Sequence, residues 1–319
     1  MKRGYLPLAY LIGGLLLNVW LGNLSTDTQA RFSRDFNAAL AFPIITAFCW
    51  WSIGHLRQVA YQKLYQVTIN LQQPHRFATF SQHLHVVLRR CRWLGLGSGT
   101  VIAFTYMWVE GLLNLSGFHR QFVLNLMAWV FWMMALWLIC HIILVTSLVI
   151  RRFLSARDID LFSVGKLQPV SDLVLVHVSH TLGVLILVPL FWLGKDIPWT
   201  DVVITTGLIT LLVLYVFWPV INVHQLIGIK KRQAVQRLNQ SIRDLFAHSQ
   251  PGKGRLTDDR ERLRELSSLI SAKAELNNQS EWPINLPQGI RTLLISIAVP
   301  LSWAAGSMVE TLIGYLQGL

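Results

Sequence analysis

Seven apolar runs, separated by shorter polar segments, set the hydropathy pattern of this chain. They are Tyr5–Leu24, Ala38–Gly54, Trp93–Leu115, Gln121–Ile150, Val170–Gly194, Trp199–Ile227 and Gln288–Tyr315. A helix needs roughly 20 residues to cross a hydrocarbon core of about 30 Å, and most of the runs reach that length. None alternates as a barrel strand does, and a lipid-exposed backbone must satisfy its own hydrogen bonds. The pattern predicts an all-α, polytopic transmembrane helix bundle with about seven spans.

A different periodicity follows the second run. In residues 55–92, apolar residues recur at helical spacing on both sides of a break at Gln72-Gln73-Pro74. This predicts a cytoplasmic amphipathic helical segment lying at the membrane interface, whose second helix continues into the third span. Basic residues at the helix ends are expected to contact anionic lipid headgroups. They are Arg89, Arg90, Arg92, Arg151 and Arg152.

A second polar module separates the sixth and seventh runs. Residues 230–283 contain two amphipathic stretches joined by a turn at Gln250-Pro251-Gly252, so they predict an antiparallel helical hairpin. A seven-residue rhythm typical of a coiled coil predicts that certain side chains pack against each other or against a neighbouring subunit. These are Leu238, Ile242, Leu266 and Ile270. The expected organisation is therefore a six-span bundle over 1–229, the hairpin over 230–283 and a final transmembrane helix over 284–319.

The basic residues fall almost entirely on one side of these spans. With the N-terminus inside, 24 of the 28 Lys and Arg residues lie on the inner side, which leaves Arg31, Arg34, Arg120 and Lys195 outside. The positive-inside rule therefore predicts that the N-terminus is inside and the C-terminus outside. We expect an integral protein of a bacterial inner membrane, with anionic lipids on the cytoplasmic side.

Composition supports this assignment and excludes other classes. The chain is 53% hydrophobic and only 14% charged, which is unlike a soluble domain or a disordered chain. The net charge of +12 is explained by topology, and no basic module interleaved with aromatic residues accompanies it, so no nucleic-acid partner is predicted. The chain has no hydrolase or phosphate-loop motif, and no nearby carboxylate or thiolate completes a metal site with the pair His177-x-x-His180, so we predict neither catalytic residues nor a metal site.

Two features inside the runs predict backbone geometry. Gly95 and Gly99 are spaced for close packing of the third span against another helix. Pro43, Pro189, Pro219 and Pro300 interrupt four runs, and each frees a backbone carbonyl while permitting a bend.

Ionisable residues inside spans are the first candidates for function, because burying them in lipid is costly. Glu110, Asp201 and Glu310 lie near the outer surface, where they would attract a permeant cation, especially if subunits form a ring. Alternatively, these acids lie among headgroups or pair with basic residues.

Histidines project to the inner half of the predicted bundle. His141, His177 and His180 are candidates for binding a b-type haem or for handling protons beside a quinone. Structural histidines with satisfied hydrogen bonds are the alternative, and otherwise no cofactor is predicted.

The last 110 residues or so resemble an uncharacterised family of prokaryotic polytopic membrane proteins. The resemblance rests on Phe217-Trp218-Pro219 with His224, the Lys230-Lys231 helix, the Leu-rich return helix, Glu281-Trp282-Pro283 and Pro300. It implies about seven spans, a cytoplasmic helical hairpin and a Trp-Pro motif before the last span, and it implies no activity.

These observations leave three functional hypotheses. The first is a homo-oligomeric pore, ion channel or transport-type protein, with the hairpin coupling its subunits. The second is a redox protein that interacts with haem or quinone through the inner histidines. The third is a non-catalytic membrane scaffold that recruits a soluble partner through the hairpin.

Overall fold

The protein is described by a computed structural model over residues 4–24, 34–70, 72, 74–109, 120–149, 168–193, 218, 225, 228–229, 231–246 and 260–278. Within these residues every regular element is a helix. The helices are α1 (Tyr5–Trp20), α2 (Arg34–Asn70), α3 (Arg76–Val109), α4 (Arg120–Val149), α5 (Gln168–Leu187), α6 (231–246) and α7 (Arg260–Asn278). A 3-10 turn, Val188–Trp192, extends α5. The all-α prediction is confirmed for this part of the chain.

Three helical segments are long and apolar enough to cross a membrane, as the second, fourth and fifth runs predicted. They are Asp35–Asn70, Gln121–Val149 and Gln168–Trp192, and α1 is a shorter apolar helix. Helices of this length and apolarity indicate a membrane protein. Of the third run, residues 93–109 lie in α3, which is helical but is not one of the three, and residues 110–115 lie outside the described residues. The sixth and seventh runs lie outside the described residues, apart from positions 218 and 225 of the sixth run.

Helix α2 is the centre of the bundle and packs against α1, α3, α4 and α5. Its contacts with α5 show that the two helices are antiparallel. Near the start of α2, Asn37 donates a hydrogen bond to the carbonyl of Leu193. Near the end of α2, Lys63 contacts Asp172 at the start of α5. An apolar core lies between these contacts.

The half of the bundle in which α2 ends and α3 and α5 begin is rich in cations. We call it the basic end and the other half the far end. The basic end carries Arg57, Lys63, Arg76, Arg89, Arg90 and Arg92.

Close packing of α3 on α4 through Gly95 and Gly99 is confirmed. A Cβ atom on either glycine would lie within 3.0 Å of the α4 backbone, at Trp137 and Met133 respectively. Gly97, on another face of α3, has nothing within 4 Å of the position of a Cβ. The two glycines therefore allow backbone contact that no larger residue permits.

The proline in α2 explains a polar residue in α1. Pro43 lacks an N–H group, so it leaves the carbonyl of Ala39, four residues earlier, without its helical hydrogen bond. Asn18 is fully buried and its Nδ2 donates to this carbonyl at 3.0 Å. The side chain of Asn18 also accepts a hydrogen bond from Asn23 at 2.9 Å. The carbonyl freed by the proline, as predicted, thus becomes the point at which α1 is attached to α2.

The predicted break between α2 and α3 is also confirmed. Gln72 takes a left-handed conformation with φ of 56°, and α3 begins at Arg76. The apolar faces on either side of the break were predicted to lie at the membrane interface, but they pack against other helices. Val67 and Leu84 are buried in a cluster with Val149 of α4. The faces pack on protein because α4 and α5 extend alongside α2 towards the basic end.

The two helices of the predicted hairpin are present. Lys231, at the start of α6, donates to the carbonyl of Asn277, near the end of α7, at 3.0 Å, a pairing that an antiparallel arrangement brings together. In α7, Leu276 is buried, whereas Ile270 is 53% exposed. Leu266 is half-buried, and packing of Ile270 against a neighbouring subunit stays a prediction.

Candidate functional site

Four histidines from three helices form two contacting pairs. His55 is on α2, His141 on α4, and His177 and His180 on α5. His141, His177 and His180 are 1%, 0% and 8% exposed, whereas His55 is on the bundle surface. We call these residues the histidine cluster. It contains all three histidines predicted from the sequence.

The two most deeply buried rings face each other across α4 and α5. The ring centroids of His141 and His177 are 5.9 Å apart with an interplanar angle of 68°. Nδ1 of His177 is 3.3 Å from the hydroxyl of Thr146. Both ring nitrogens of His141 and Nε2 of His177 have no hydrogen-bond partner among the described atoms. Buried polar atoms without partners are costly, with penalties of about 1–3 kcal/mol each, so this pair is a candidate for function rather than packing.

A direct hydrogen bond joins the other two histidines. Nδ1 of His55 lies 3.1 Å from Nε2 of His180, and Nδ1 of His180 lies 2.9 Å from the carbonyl of Val176. Because a carbonyl only accepts, Nδ1 of His180 carries a proton. When both rings are neutral, His55 must therefore donate from Nδ1 to Nε2 of His180. The contact holds one proton between two nitrogens that can each take it.

An aromatic stack surrounds this hydrogen bond. The ring of Trp51 lies 5.5 Å from that of His55, at an interplanar angle of 3°, and 5.4 Å from that of His180. Phe48 stacks on His180 from the next turn of α2, where a Cβ on Gly183 would lie 2.6 Å from the Phe48 ring. An indole face stabilises a nearby cation, so Trp51 favours a proton on either imidazole.

An ion pair lies further towards the basic end of the same helix interface. Lys63 Nζ is 2.7 Å from Oδ2 of Asp172, and the two side chains are 24% and 10% exposed. Oδ1 of Asp172 is buried without a partner among the described atoms. Lys63 and Asp172 each lie eight residues from their histidines, which is about 12 Å along a helix. Ionisable groups thus form a column along α2 and α5, from the ion pair through His55 and His180.

Metal binding finds no support in this region. The described residues contain no group of three or more His, Cys, Asp or Glu residues that could hold a metal ion. The free cysteines Cys49, Cys91 and Cys140 form no such group either.

The remaining predicted site residues fall into two groups. Arg89, Arg90 and Arg92 are exposed on α3, and the guanidinium of Arg92 lies 5.6 Å from the ring centre of Trp93, which is 62% exposed. Lipid contact by these arginines stays a prediction. The others lie outside the described residues: Glu110, Asp201, Glu310, Arg151 and Arg152.

Four members of the site are not among the residues predicted from the sequence. They are His55, Trp51, Lys63 and Asp172. Asp172 can be recognised as a candidate from the sequence, because it is an acid inside the fifth apolar run.

No known protein family, characterised protein or solved structure shows significant similarity to this chain.

Proposed function

We propose that this is a transport-type integral membrane protein whose histidine cluster binds and passes protons. The hydrogen bond between His55 and His180, beside the buried pair of His141 and His177, carries the proposal. Imidazole is the side chain whose charge changes nearest to neutral pH, and ionisable groups inside membrane bundles commonly serve as proton relays.

The hydrogen bond allows a proton to pass from His55 to His180. A proton that binds Nε2 of His55 makes this ring an imidazolium, and the ring then releases its Nδ1 proton to Nε2 of His180. His55 returns to a neutral ring, and the positive charge moves from the bundle surface to a residue that is 8% exposed. His177 lies one helical turn away on the same helix, and its Nε2, which has no partner among the described atoms, is available to accept a proton.

The proposal includes the topology that the charge distribution favours. We propose about seven spans with the N-terminus inside, in a bacterial inner membrane, and a homo-oligomer coupled by the cytoplasmic hairpin of α6 and α7. Glu110, Asp201 and Glu310 would then attract cations on the outer side. A reporter that is active only in the periplasm should be active when fused after Leu319 and inactive when fused at Gly252. The opposite result would show that the topology is inverted.

The proton function is tested by flux into proteoliposomes. Purified protein is reconstituted around a pH-sensitive dye, and a potassium diffusion potential drives proton entry. Replacing both His141 and His177 by Phe should reduce the protein-dependent rate by about a hundredfold, the lower end of the contribution of a positioned proton-transfer group. His83→Gln is the matched control, because His83 is an exposed histidine on α3. Equal rates in wild type and the double variant, or no wild-type flux, would overturn the proposal.

A quinone-interacting redox protein is the second candidate, and one observation favours it. Trp51 is 45% exposed and stacks in parallel on exposed His55, so the two rings form a flat surface with a hydrogen-bonding edge. A quinone head group could stack there and accept a hydrogen bond. Binding of a short-chain quinone that is lost in Trp51→Ala would support this candidate. An absorption spectrum tests the haem alternative, because a b-type haem gives an intense Soret band.

A further inference from the structure

The exposed side of α3 has an open position at Gly97. A Cβ atom on Gly97 would have no described neighbour within 4 Å. Trp93 lies one helical turn before Gly97 on the same face and Val101 lies one turn after it, and these side chains are 62% and 65% exposed. Between the two large side chains, the bare backbone of Gly97 leaves a notch. We call it the Gly97 notch, with Trp93 and Val101 as its walls.

The notch lies at the level of the middle of a candidate membrane span. Two residues before it, Gly95 approaches the α4 backbone at Trp137. Two residues after it, Gly99 approaches the same backbone at Met133. Both contacts fall in the middle of Gln121–Val149, which is long and apolar enough to cross a membrane. Because the notch is on the exposed side of α3 at this level, it faces the hydrocarbon chains of the lipids.

Three exposed arginines lie on α3 between the notch and the basic end. Arg90 is seven residues before Gly97, which is two helical turns or about 11 Å, so the two residues share one face of the helix. Arg89 is one turn before Trp93, and the guanidinium of Arg92 lies 5.6 Å from the centre of the Trp93 ring. The distance from Arg90 to the notch is less than half the thickness of a hydrocarbon core, which is about 15 Å. One lipid molecule is therefore long enough to contact both.

The described part of the bundle offers these arginines no carboxylate. From residue 4 to residue 193, the described residues contain two acids, Asp35 and Asp172. Asp35 lies at the start of α2, at the far end, and Asp172 is 2.7 Å from Lys63. Arginine binds phosphate oxygens through parallel N–H bonds, so a phosphate group matches this cluster of guanidinium groups in charge and in geometry.

We propose that the Gly97 notch and the arginines beside it form a binding site for one anionic phospholipid. The phosphate binds Arg89 and Arg90, and one acyl chain runs over Gly97 between Trp93 and Val101. The indole of Trp93 then lies between the charged and the apolar parts of the lipid, which is the position that Trp favours at a membrane interface. The site adds an acyl-chain contact to the headgroup contact expected from the sequence, and it does not depend on the proton function of the histidine cluster.

Charge and shape favour a lipid over a second copy of the chain. Two copies that met through this face would bring two sets of exposed arginines together, and like charges repel. A phospholipid headgroup instead brings a negative charge to each set. A notch that is one side chain deep also suits a narrow, flexible acyl chain, which gains dispersion energy from Trp93, Gly97 and Val101.

Native mass spectrometry of the full chain in mild detergent tests the headgroup contact. The probes are phosphatidylglycerol and phosphatidylcholine with identical palmitoyl and oleoyl chains, and wild type should bind one phosphatidylglycerol in preference to phosphatidylcholine. Arg89→Gln with Arg90→Gln should lower the affinity for phosphatidylglycerol by about twentyfold and leave that for phosphatidylcholine nearly unchanged, because each arginine contributes about fivefold to binding an anionic lipid. Arg57→Gln with Arg76→Gln is the matched control, since it removes the same charge from two other exposed arginines.

A second pair of variants tests the acyl-chain contact. Gly97→Leu fills the notch and should lower the affinity for phosphatidylglycerol several-fold. Gly54→Leu is its control, because Gly54 is an exposed glycine of α2 that also has no neighbour within 4 Å of a Cβ. In the background of the Arg89 and Arg90 double variant, Gly97→Leu should have a smaller effect, because headgroup and chain belong to one lipid.

Four results would overturn the inference. The first is equal affinity of the wild type for the two lipids. The second is the same phosphatidylglycerol affinity in the Arg89 and Arg90 double variant as in its control. The third is a Gly97→Leu variant that binds phosphatidylglycerol as well as Gly54→Leu does. The fourth is a change of oligomer mass in Gly97→Leu with unchanged lipid binding, which would show that a second copy of the chain occupies the notch.

Discussion

Replacement of the α3 glycines tests the closest helix contact in the protein. Gly95→Ala places a methyl group within 3.0 Å of the α4 backbone at Trp137, and Gly99→Ala does the same at Met133. Ordinary contacts begin at about 3.4 Å, so the helices must move apart by several tenths of an ångström or more. Because the atoms in contact are backbone atoms, no side-chain rotation can relieve the overlap.

The expected cost follows from two opposing effects. Overpacking a tight interface costs about 1–3 kcal/mol, and a gap of 0.5–1 Å removes roughly a quarter to a half of the dispersion energy of the neighbouring contacts. Alanine in a helix gains up to about 1 kcal/mol over glycine. We therefore expect a net destabilisation of about 2 kcal/mol for Gly95→Ala. Gly97→Ala has open space around the new methyl group, so it should be neutral or slightly stabilising.

The assay compares the three alanine variants in one detergent. The free energy of unfolding is measured by titration with SDS, and thermal stability is measured from the fraction that stays monodisperse after heating. Gly97→Ala should be as stable as wild type or slightly more stable, whereas Gly95→Ala and Gly99→Ala should be less stable than wild type. If Gly95→Ala and Gly97→Ala have the same stability, α3 and α4 do not meet at Gly95.

Two further predictions concern polar contacts of α2. Asn18→Ala leaves the carbonyl of Ala39 buried without a donor, so the free energy of unfolding should fall by about 1–3 kcal/mol. In a Pro43→Ala background, which restores the helical N–H, the same substitution should lower the free energy of unfolding by less. Equal losses of stability in both backgrounds would contradict the contact. Lys63→Met leaves Asp172 buried and unpaired, so it should cost about 3 kcal/mol in the same SDS titration, whereas Lys63→Met with Asp172→Leu should cost much less. A larger loss in the double variant would show that the pair is stabilising on balance.

Much of the helical architecture follows from local sequence. Apolar length predicts α4 and α5, and the Gln72-Gln73-Pro74 break predicts where α2 ends. The spacing of Gly95 and Gly99 predicts close packing against another helix, because only small residues permit backbone approach. The extent of α2 was underestimated, since hydropathy falls after Gly54 while the helix continues to Asn70. The polar side chains beyond Gly54 lower the hydropathy, although the face opposite them is buried by neighbouring helices.

The site was less accessible from sequence, for a physical reason. His141, His177 and His180 are recognised because ionisable groups in apolar runs are costly. The partner of each group is fixed only by the fold: Lys63 meets Asp172 across 109 residues, and His55 meets His180 across 125. No local periodicity encodes such a pairing. The outer acids Glu110, Asp201 and Glu310 lie outside the described residues, so their role stays a prediction.

The central claim is that the histidines of α2 and α5 share and exchange a proton, and nitrogen NMR of the protein in lipid tests it directly. With 15N-labelled histidine at about pH 8, His180 should be a neutral ring protonated at Nδ1, with a through-hydrogen-bond coupling from its Nε2 to Nδ1 of His55. His180→Phe keeps an aromatic ring in the stack and should abolish the coupling. Absence of the coupling in the wild type, or a coupling that persists in His180→Phe, would contradict the account.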